Sequence, residues 1–227
     1  MRRTSIIRPL VIICAVFSIY YLFNSKRPSK EPMGTVIILN GPSGSGKSSI
    51  QREFQALMMP SLWIKLGIDN LFDKPFPDIT SENMHHWQSE NSMRWVTTTK
   101  NEEQKPIVTL FTGQQGEKVA YGMNSAIAAY AQAGCNSIVD YIAYKPAWLD
   151  DLRKKLKNKK VYWVKVYLPL DVLEERERAR GTSPGGHARS HYDTVYGDMV
   201  YDFELDTSML SAVECAQKIK EFIESKI

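Results

Sequence analysis

Residues Gly41-Pro-Ser-Gly-Ser-Gly46-Lys47-Ser48 follow the spacing G-x-x-x-x-G-K-[ST], and the chemistry this spacing serves is the holding of a phosphate chain. Glycines let successive backbone N–H groups turn inward onto phosphate oxygens. A helix starting behind them adds partial positive charge. Gly41, Pro42, Ser43, Gly44, Ser45 and Gly46 would form the loop, with Ser49 one position beyond the pattern. Lys47 would reach the β- and γ-phosphates, and the Ser48 hydroxyl would ligate Mg²⁺. A glycine-rich turn that binds nothing is the alternative, and the flanking residues argue against it. Thr35–Asn40 (TVIILN) is the β-branched and aliphatic run of a buried strand. From Ser48 to Met59 the apolar residues Ile50, Phe54 and Leu57 keep helical spacing up to Pro60. Strand, glycine loop and helix together imply a nucleoside triphosphate with Mg²⁺.

Phosphoryl transfer needs an aligned nucleophile, neutralised charge and exclusion of water. Asp69 closes the run Trp63–Ile68 and can face a cleft as the general base for an acceptor hydroxyl. Its other reading is an N-cap for the segment starting at Asn70. Asp140 ends the run Asn136–Val139, either as a carboxylate holding Mg²⁺ through water or as a strand-end cap. Arg176 and Arg180 are four apart, so both leave one helix face beside Gly181 and the loop Thr182-Ser-Pro-Gly-Gly-His187. That arrangement suits a lid near residues 176–191, with Arg189 as a third cation. A solvated face with ion pairs such as Glu174–Arg178 is the competing account. His85 and His86 have no cysteine or acid at ligand spacing, so no metal site is expected there.

Other runs must position these groups. Trp63–Ile68, Pro106–Thr112, Asn136–Val139 and Val161–Leu168 read as strands. Gly116–Ala133 reads as a helix with Val119, Met123, Ile127 and Tyr130 in register and Gly134 as its stop. Leu170–Arg180 and Ser211–Ile227 are further helices. Helices alternating with apolar strands give an α/β three-layer sandwich on a mostly parallel sheet, the P-loop NTPase architecture. Ligands in such sheets sit at the carboxyl ends of the strands, where Gly41, Asp69 and Asp140 fall.

The first thirty residues differ from the rest. Leu10–Phe23 is uninterrupted by charge, with Arg2, Arg3 and Arg8 before it and Lys26, Arg27 and Lys30 after. Removing these six cations leaves 23 Lys and Arg against 25 Asp and Glu, so net charge gives no support for a nucleic-acid partner. The apolar run spans about 21 Å at helical rise, against roughly 30 Å of hydrocarbon. Residues 1–24 are expected to be an N-terminal hydrophobic helix that anchors the chain in a membrane, a cleaved signal or a buried segment being the alternatives. Residues 25–33 read as a linker, and residues 34–227 as the catalytic domain, expected on the cytoplasmic side. Cys14, Cys135 and Cys215 form no disulfide framework and no metal spacing.

Several stretches in the same order are similar to the chloramphenicol phosphotransferase family of P-loop kinases. They are Gly34–Ser49, Gly67-Ile-Asp69-Asn-Leu-Phe72, Ala133–Asp140, Leu173-Glu-Glu-Arg-Glu-Arg-Ala-Arg-Gly181 and Tyr201–Thr207. The resemblance implies a nucleoside- or shikimate-kinase-like sheet and transfer of the γ-phosphoryl group of ATP, with Mg²⁺, to a hydroxyl of a small molecule. It implies Asp69 as the base, Lys47 and Ser48 in the phosphate loop, and Arg176 and Arg180 as lid arginines. In P-loop kinases the region after the first βα unit commonly lines the acceptor pocket, and here it holds Trp63, Phe72, Phe76, Trp87 and Trp95. The chain departs from the family pattern at Thr182-Ser183 and at His191. An NTPase whose Asp69 orients water, and a membrane-tethered nucleotide-binding module, remain the alternatives.

Overall fold

Val36–Asn40 forms β1, and all five residues are buried because both faces of this strand are covered. The computed structural model describes residues 33–73, 76–100, 102 and 104–226. The expected anchor and nearly all of the linker lie outside them. Among the described residues no helix is long and apolar enough to cross a membrane.

From β1 the chain enters α1 (Lys47–Met58), then β2 (Trp63–Gly67), a π-helical turn (Asp69–Asp73) and the short α2 (Met84–Trp87). A hairpin of β3 (Met93–Lys100) and β4 (Pro106–Thr112) follows, then α3 (Gln114–Gln132), β5 (Asn136–Tyr141) and α4 (Pro146–Leu156). The chain finishes through β6 (Val161–Tyr167), α5 (Leu170–Arg180), α6 (His187–His191), β7 (Phe203–Asp206) and α7 (Ala212–Glu224). β2, β5, β1, β6 and β7 pair in that order, all parallel, so the carboxyl ends of β1, β2 and β5 lie together at one edge of the sheet.

Alternation along β1 divides the core. Val36 and Ile38 pack on one face with Met123, Ile127, Trp148 and Leu152 from α3 and α4. Ile37 and Leu39 pack on the other with Ile50 and Phe54 of α1 and Ile219 and Ile223 of α7. This is the expected three-layer α/β sandwich. The Ser211 side chain caps α7 by accepting from Glu214 N–H, and the Glu214 carboxylate returns the bond to Ser211 N–H at 2.8 Å.

Two sequence expectations change. Pro106–Thr112 is a strand, but it pairs antiparallel with β3 in a separate two-stranded sheet. An apolar run specifies a buried face and not the direction of its partner. Tyr130 is 43% exposed, because the buried register of α3 runs through Ala120, Met123, Ile127 and Ala131 and leaves its ring on the solvent side. Of the aromatic residues after the first βα unit, Trp63 belongs to the core, its ring centroid 5.1 Å from that of Phe54. Glu174, whose pairing with Arg178 belonged to the competing account of this helix, accepts from Arg189 Nε at 2.5 Å.

Candidate active site

The loop between β1 and α1 turns on two glycines in the left-handed region, Gly44 at φ +86° and Gly46 at φ +91°. Side chains are strained there, so the glycines permit the inward turn of the backbone. Gly41 is required for a different reason: a Cβ at this position would lie 2.2 Å from the Val166 carbonyl oxygen. α1 then starts at Lys47, and its first-turn N–H groups, which have no intrahelical acceptor, open onto the loop.

Lys47 is 3% exposed, and its Nζ donates to the Pro42 carbonyl at 2.7 Å. The same ammonium faces Asp140 Oδ1 at 3.5 Å. Burial pushes the Lys47 pKa below its ordinary value, and the charge of Asp140 opposes that shift. Ser48 Oγ donates to Asp140 Oδ2 at 2.6 Å. Asp140 Oδ1 is buried and accepts no hydrogen bond. A hydroxyl and a carboxylate with one oxygen that accepts no hydrogen bond make a hard-oxygen donor set of the kind Mg²⁺ takes, which phosphates and water would complete. Among the described residues no cluster of three or more His, Cys, Asp or Glu could hold a metal.

β2 delivers Asp69 to the same cavity. Gly67 lets β2 press against β5 here, since a Cβ would meet the Asp140 carbonyl oxygen at 2.4 Å. Asn70 ties the strand end to the turn, accepting from Gly67 N–H at 2.9 Å. Asp69 itself opens the π-helical turn, is exposed, and lines the cavity beside Gly46–Ser49 and Asp140. Its charge helps keep Lys47 protonated. Gln51, which the sequence gave no reason to single out, braces this edge by donating to the Leu66 and Ile138 carbonyls at 2.7 and 2.8 Å.

α5 contributes both arginines. Arg180 Nη2 donates to Ser43 Oγ at 2.9 Å. Arg176 Nη2 donates to the Thr207 carbonyl at 2.7 Å, and the Thr207 hydroxyl donates to the Ser45 carbonyl at 3.1 Å. The segment after α5 is held by Glu177, 3% exposed, whose carboxylate accepts from Gly186 N–H at 2.8 Å and Ala188 N–H at 2.7 Å. Gly186 sits against the hairpin, where a Cβ would meet the Pro106 carbonyl oxygen at 2.0 Å. Arg189 pairs with Glu174 and is not among the residues lining the cavity. His85 and His86 lie on α2, exposed and outside the cavity lining.

The cavity has a volume of about 1070 Å³. Its lining includes the polar and charged residues Lys47, Ser48, Asp69, Asp140, Arg176 and Arg180. It also includes the apolar and aromatic residues Phe72, Phe76, Trp87, Met93, Trp95 and Tyr144. Phe76 and Trp87 meet edge to face with centroids 5.4 Å apart. A space lined by both sets can hold a phosphate chain against the cations and an apolar body against the aromatic rings, with the Asp69 carboxylate in the same lining.

Residues 34–224 match the family described as chloramphenicol phosphotransferase-like protein. The chain belongs to this family. The family stretch spans β1 to α7, and so takes in the phosphate loop, the hairpin and the arginine-bearing α5. A family relative from Mycobacterium tuberculosis bearing the name "Putative O-phosphotransferase" is 30% identical over 199 residues, covering 84% of this chain and 82% of its own. Among solved structures, the fold of this chloramphenicol phosphotransferase-like chain is similar to an APS kinase of Mycobacterium tuberculosis. The TM-score is 0.55 at 19% identity, covering 85% of this chain and 99% of that one. It is also similar to a sugar kinase of Janibacter, with a TM-score of 0.53 at 16% identity, covering 85% and 95%.

Proposed function

We propose that this chain is an ATP- and Mg²⁺-dependent phosphotransferase that moves the γ-phosphoryl group to a hydroxyl of a small molecule with an apolar, in part aromatic, body. The observation that carries this reading is the shared cavity. Asp69 lines the same cavity as the Lys47–Ser48–Asp140 cluster and a set of aromatic side chains. Family membership and the name of the M. tuberculosis relative support it.

In this reading the loop amides and Lys47 hold the phosphates, and Ser48 with Asp140 would hold Mg²⁺. When bound, the cation neutralises charge on the β- and γ-phosphate oxygens. Asp69 accepts the proton of the acceptor hydroxyl as its oxygen bonds to the γ-phosphorus and the bond to the β-phosphate oxygen breaks. Arg176 and Arg180 place positive charge over the transferring group, and the segment 176–191 acts as the lid that excludes water.

The test uses the full chain with MgATP and a panel of hydroxylated small molecules, aromatic alcohols and chloramphenicol among them. ADP and phosphorylated product are followed by mass spectrometry beside Asp69→Asn. Product that forms with the wild type and vanishes in the variant supports the proposal. ADP without phosphorylated product from any alcohol would favour an NTPase, and ATP binding with no turnover would favour a binding module.

A further inference from the structure

α6 is hydrogen-bonded to the glycine loop through Ser43. Its N–H donates to His191 Nε2 at 3.0 Å, while its hydroxyl accepts from Arg180. The contact joins positions 148 apart, and both residues are buried, Ser43 8% and His191 3% exposed. It uses the amide just before the left-handed turn at Gly44, so the N–H groups at the start of α1 stay available to an anion.

The surrounding bonds fix the tautomer. Ser190 Oγ–H donates to the His187 carbonyl at 2.7 Å, which leaves Ser190 Oγ to accept from His191 Nδ1–H at 3.2 Å. Nδ1 therefore carries the proton and Nε2 the lone pair offered to Ser43. His187 repeats the scheme one turn earlier: Nδ1–H donates to the Val108 carbonyl at 3.4 Å, and Nε2 accepts from Tyr144 Oη–H at 3.0 Å. An imidazolium at 191 would set a second N–H against the Ser43 N–H, and that bond could not form.

We propose that His191 is a positioning residue for the phosphotransferase reaction: as a neutral imidazole it clamps the lid to the phosphate loop through Ser43 N–H, and protonation at Nε2 releases the clamp. The inference rests on reading the loop as an ATP site.

The groups that face this imidazole are His187 from its own helix, Tyr144 from the segment after β5, and Lys47 from α1, with Arg180 on the far side of Ser43. None is acidic. Burial pushes the His191 pKa well below the usual histidine value, and His187 and Lys47 act in the same direction. The sign follows. A base whose pKa is depressed in the clamped state favours that state at high pH. The clamped state loses ground as pH falls below the ordinary value of about 6.5, by at most about tenfold per pH unit.

The experiment is MgATP binding by calorimetry at pH 8.0 and pH 5.5, with the full-length wild type, His191→Gln and His191→Ala. A glutamine carbonyl can accept the Ser43 N–H without titrating. Protonation of ATP, of Lys47 and of His187 is common to all three proteins and cancels in the ratios. The expected result is that wild-type affinity falls at least about fivefold more than that of H191Q between the two pH values. H191A should bind more weakly than H191Q at pH 8.0, because Ser43 N–H loses its acceptor. Equal pH ratios for the wild type and H191Q, or wild-type affinity in H191A at both pH values, would overturn the proposal. If H191A does not fold, the comparison of the wild type with H191Q decides alone. Absence of MgATP binding by the wild type at pH 8.0 would instead overturn the ATP reading on which the proposal stands.

Discussion

Ser48 Oγ donates to Asp140 Oδ2 at 2.6 Å, which locks the first turn of α1 to the end of β5 across 92 positions of sequence. The second carboxylate oxygen faces Lys47 Nζ at 3.5 Å and accepts no hydrogen bond, so the carboxylate is only partly satisfied by protein. A divalent cation would complete it. We therefore expect Asp140→Asn to weaken ATP binding in the presence of Mg²⁺ while leaving ATP binding in EDTA little changed. Ser48→Ala should act in the same sense. Calorimetric titration with and without Mg²⁺ checks this, and an equal loss in both conditions would count against the carboxylate as a cation ligand.

Asp69 makes a separable prediction. It lies on the exposed turn after β2, outside the buried Lys47–Asp140 pair, so Asp69→Asn should keep the fold and the nucleotide site. Loss of a general base commonly costs about 10²–10⁴ in rate. A fall of this size in kcat, with ATP affinity within about threefold of the wild type, is the expected outcome. Product formation at the wild-type rate would remove Asp69 from the chemistry.

How far the site could be read from sequence depended on the range of the interactions. The phosphate loop was legible because its glycines encode a local backbone path, and Gly44 and Gly46 both take the positive φ that path requires. Asp69 and Asp140 were placed at one sheet edge because a parallel sheet collects its strand ends there, and the spacing of Arg176 and Arg180 put both on one helix face. Contacts that depend on distant chain left no local signal. Gln51 on two strand carbonyls and His191 on Ser43 are examples. β7, four residues with Glu204 exposed, carries too little apolar pattern to announce itself. α4 did carry one, since Pro146 stands at its N-terminus and Trp148, Leu149, Leu152 and Leu156 line its buried face.

The two arginines should not behave alike. Among the described residues Arg180 donates to side-chain hydroxyls, those of Ser43 and Ser183, and can turn to a phosphoryl group at little cost. Arg176 is tied to the Thr207 carbonyl and through Thr207 to the loop. Arg180→Ala should therefore lower kcat, by about 10³ if it serves as a transition-state cation, with little change in ATP affinity. Arg176→Ala should lower kcat and also weaken ATP binding, because the Ser45 turn loses a support. Steady-state kinetics beside direct ATP binding separates the two patterns, and an identical split for both variants would mean that the Thr207 link does not matter.

Glu177 tests whether the segment after α5 is a device that closes. Its buried carboxylate is the anchor for Gly186 N–H and Ala188 N–H, so Glu177→Ala strips two charged hydrogen bonds from the start of α6. Each such bond contributes about 1.5–3 kcal/mol. The loss falls mainly on this segment, because Leu173, Leu168 and Ala188 form a small cluster distinct from the two main cores. Hydrogen exchange in residues 182–192 should speed up by one to two orders of magnitude or more, while β1 and β5 keep their protection. MgATP should restore part of the lost protection, since the arginines of α5 then gain a partner that draws the segment back onto the loop. Uniform loss of protection across the sheet would show instead that Glu177 supports the fold as a whole and that the segment does not open by itself.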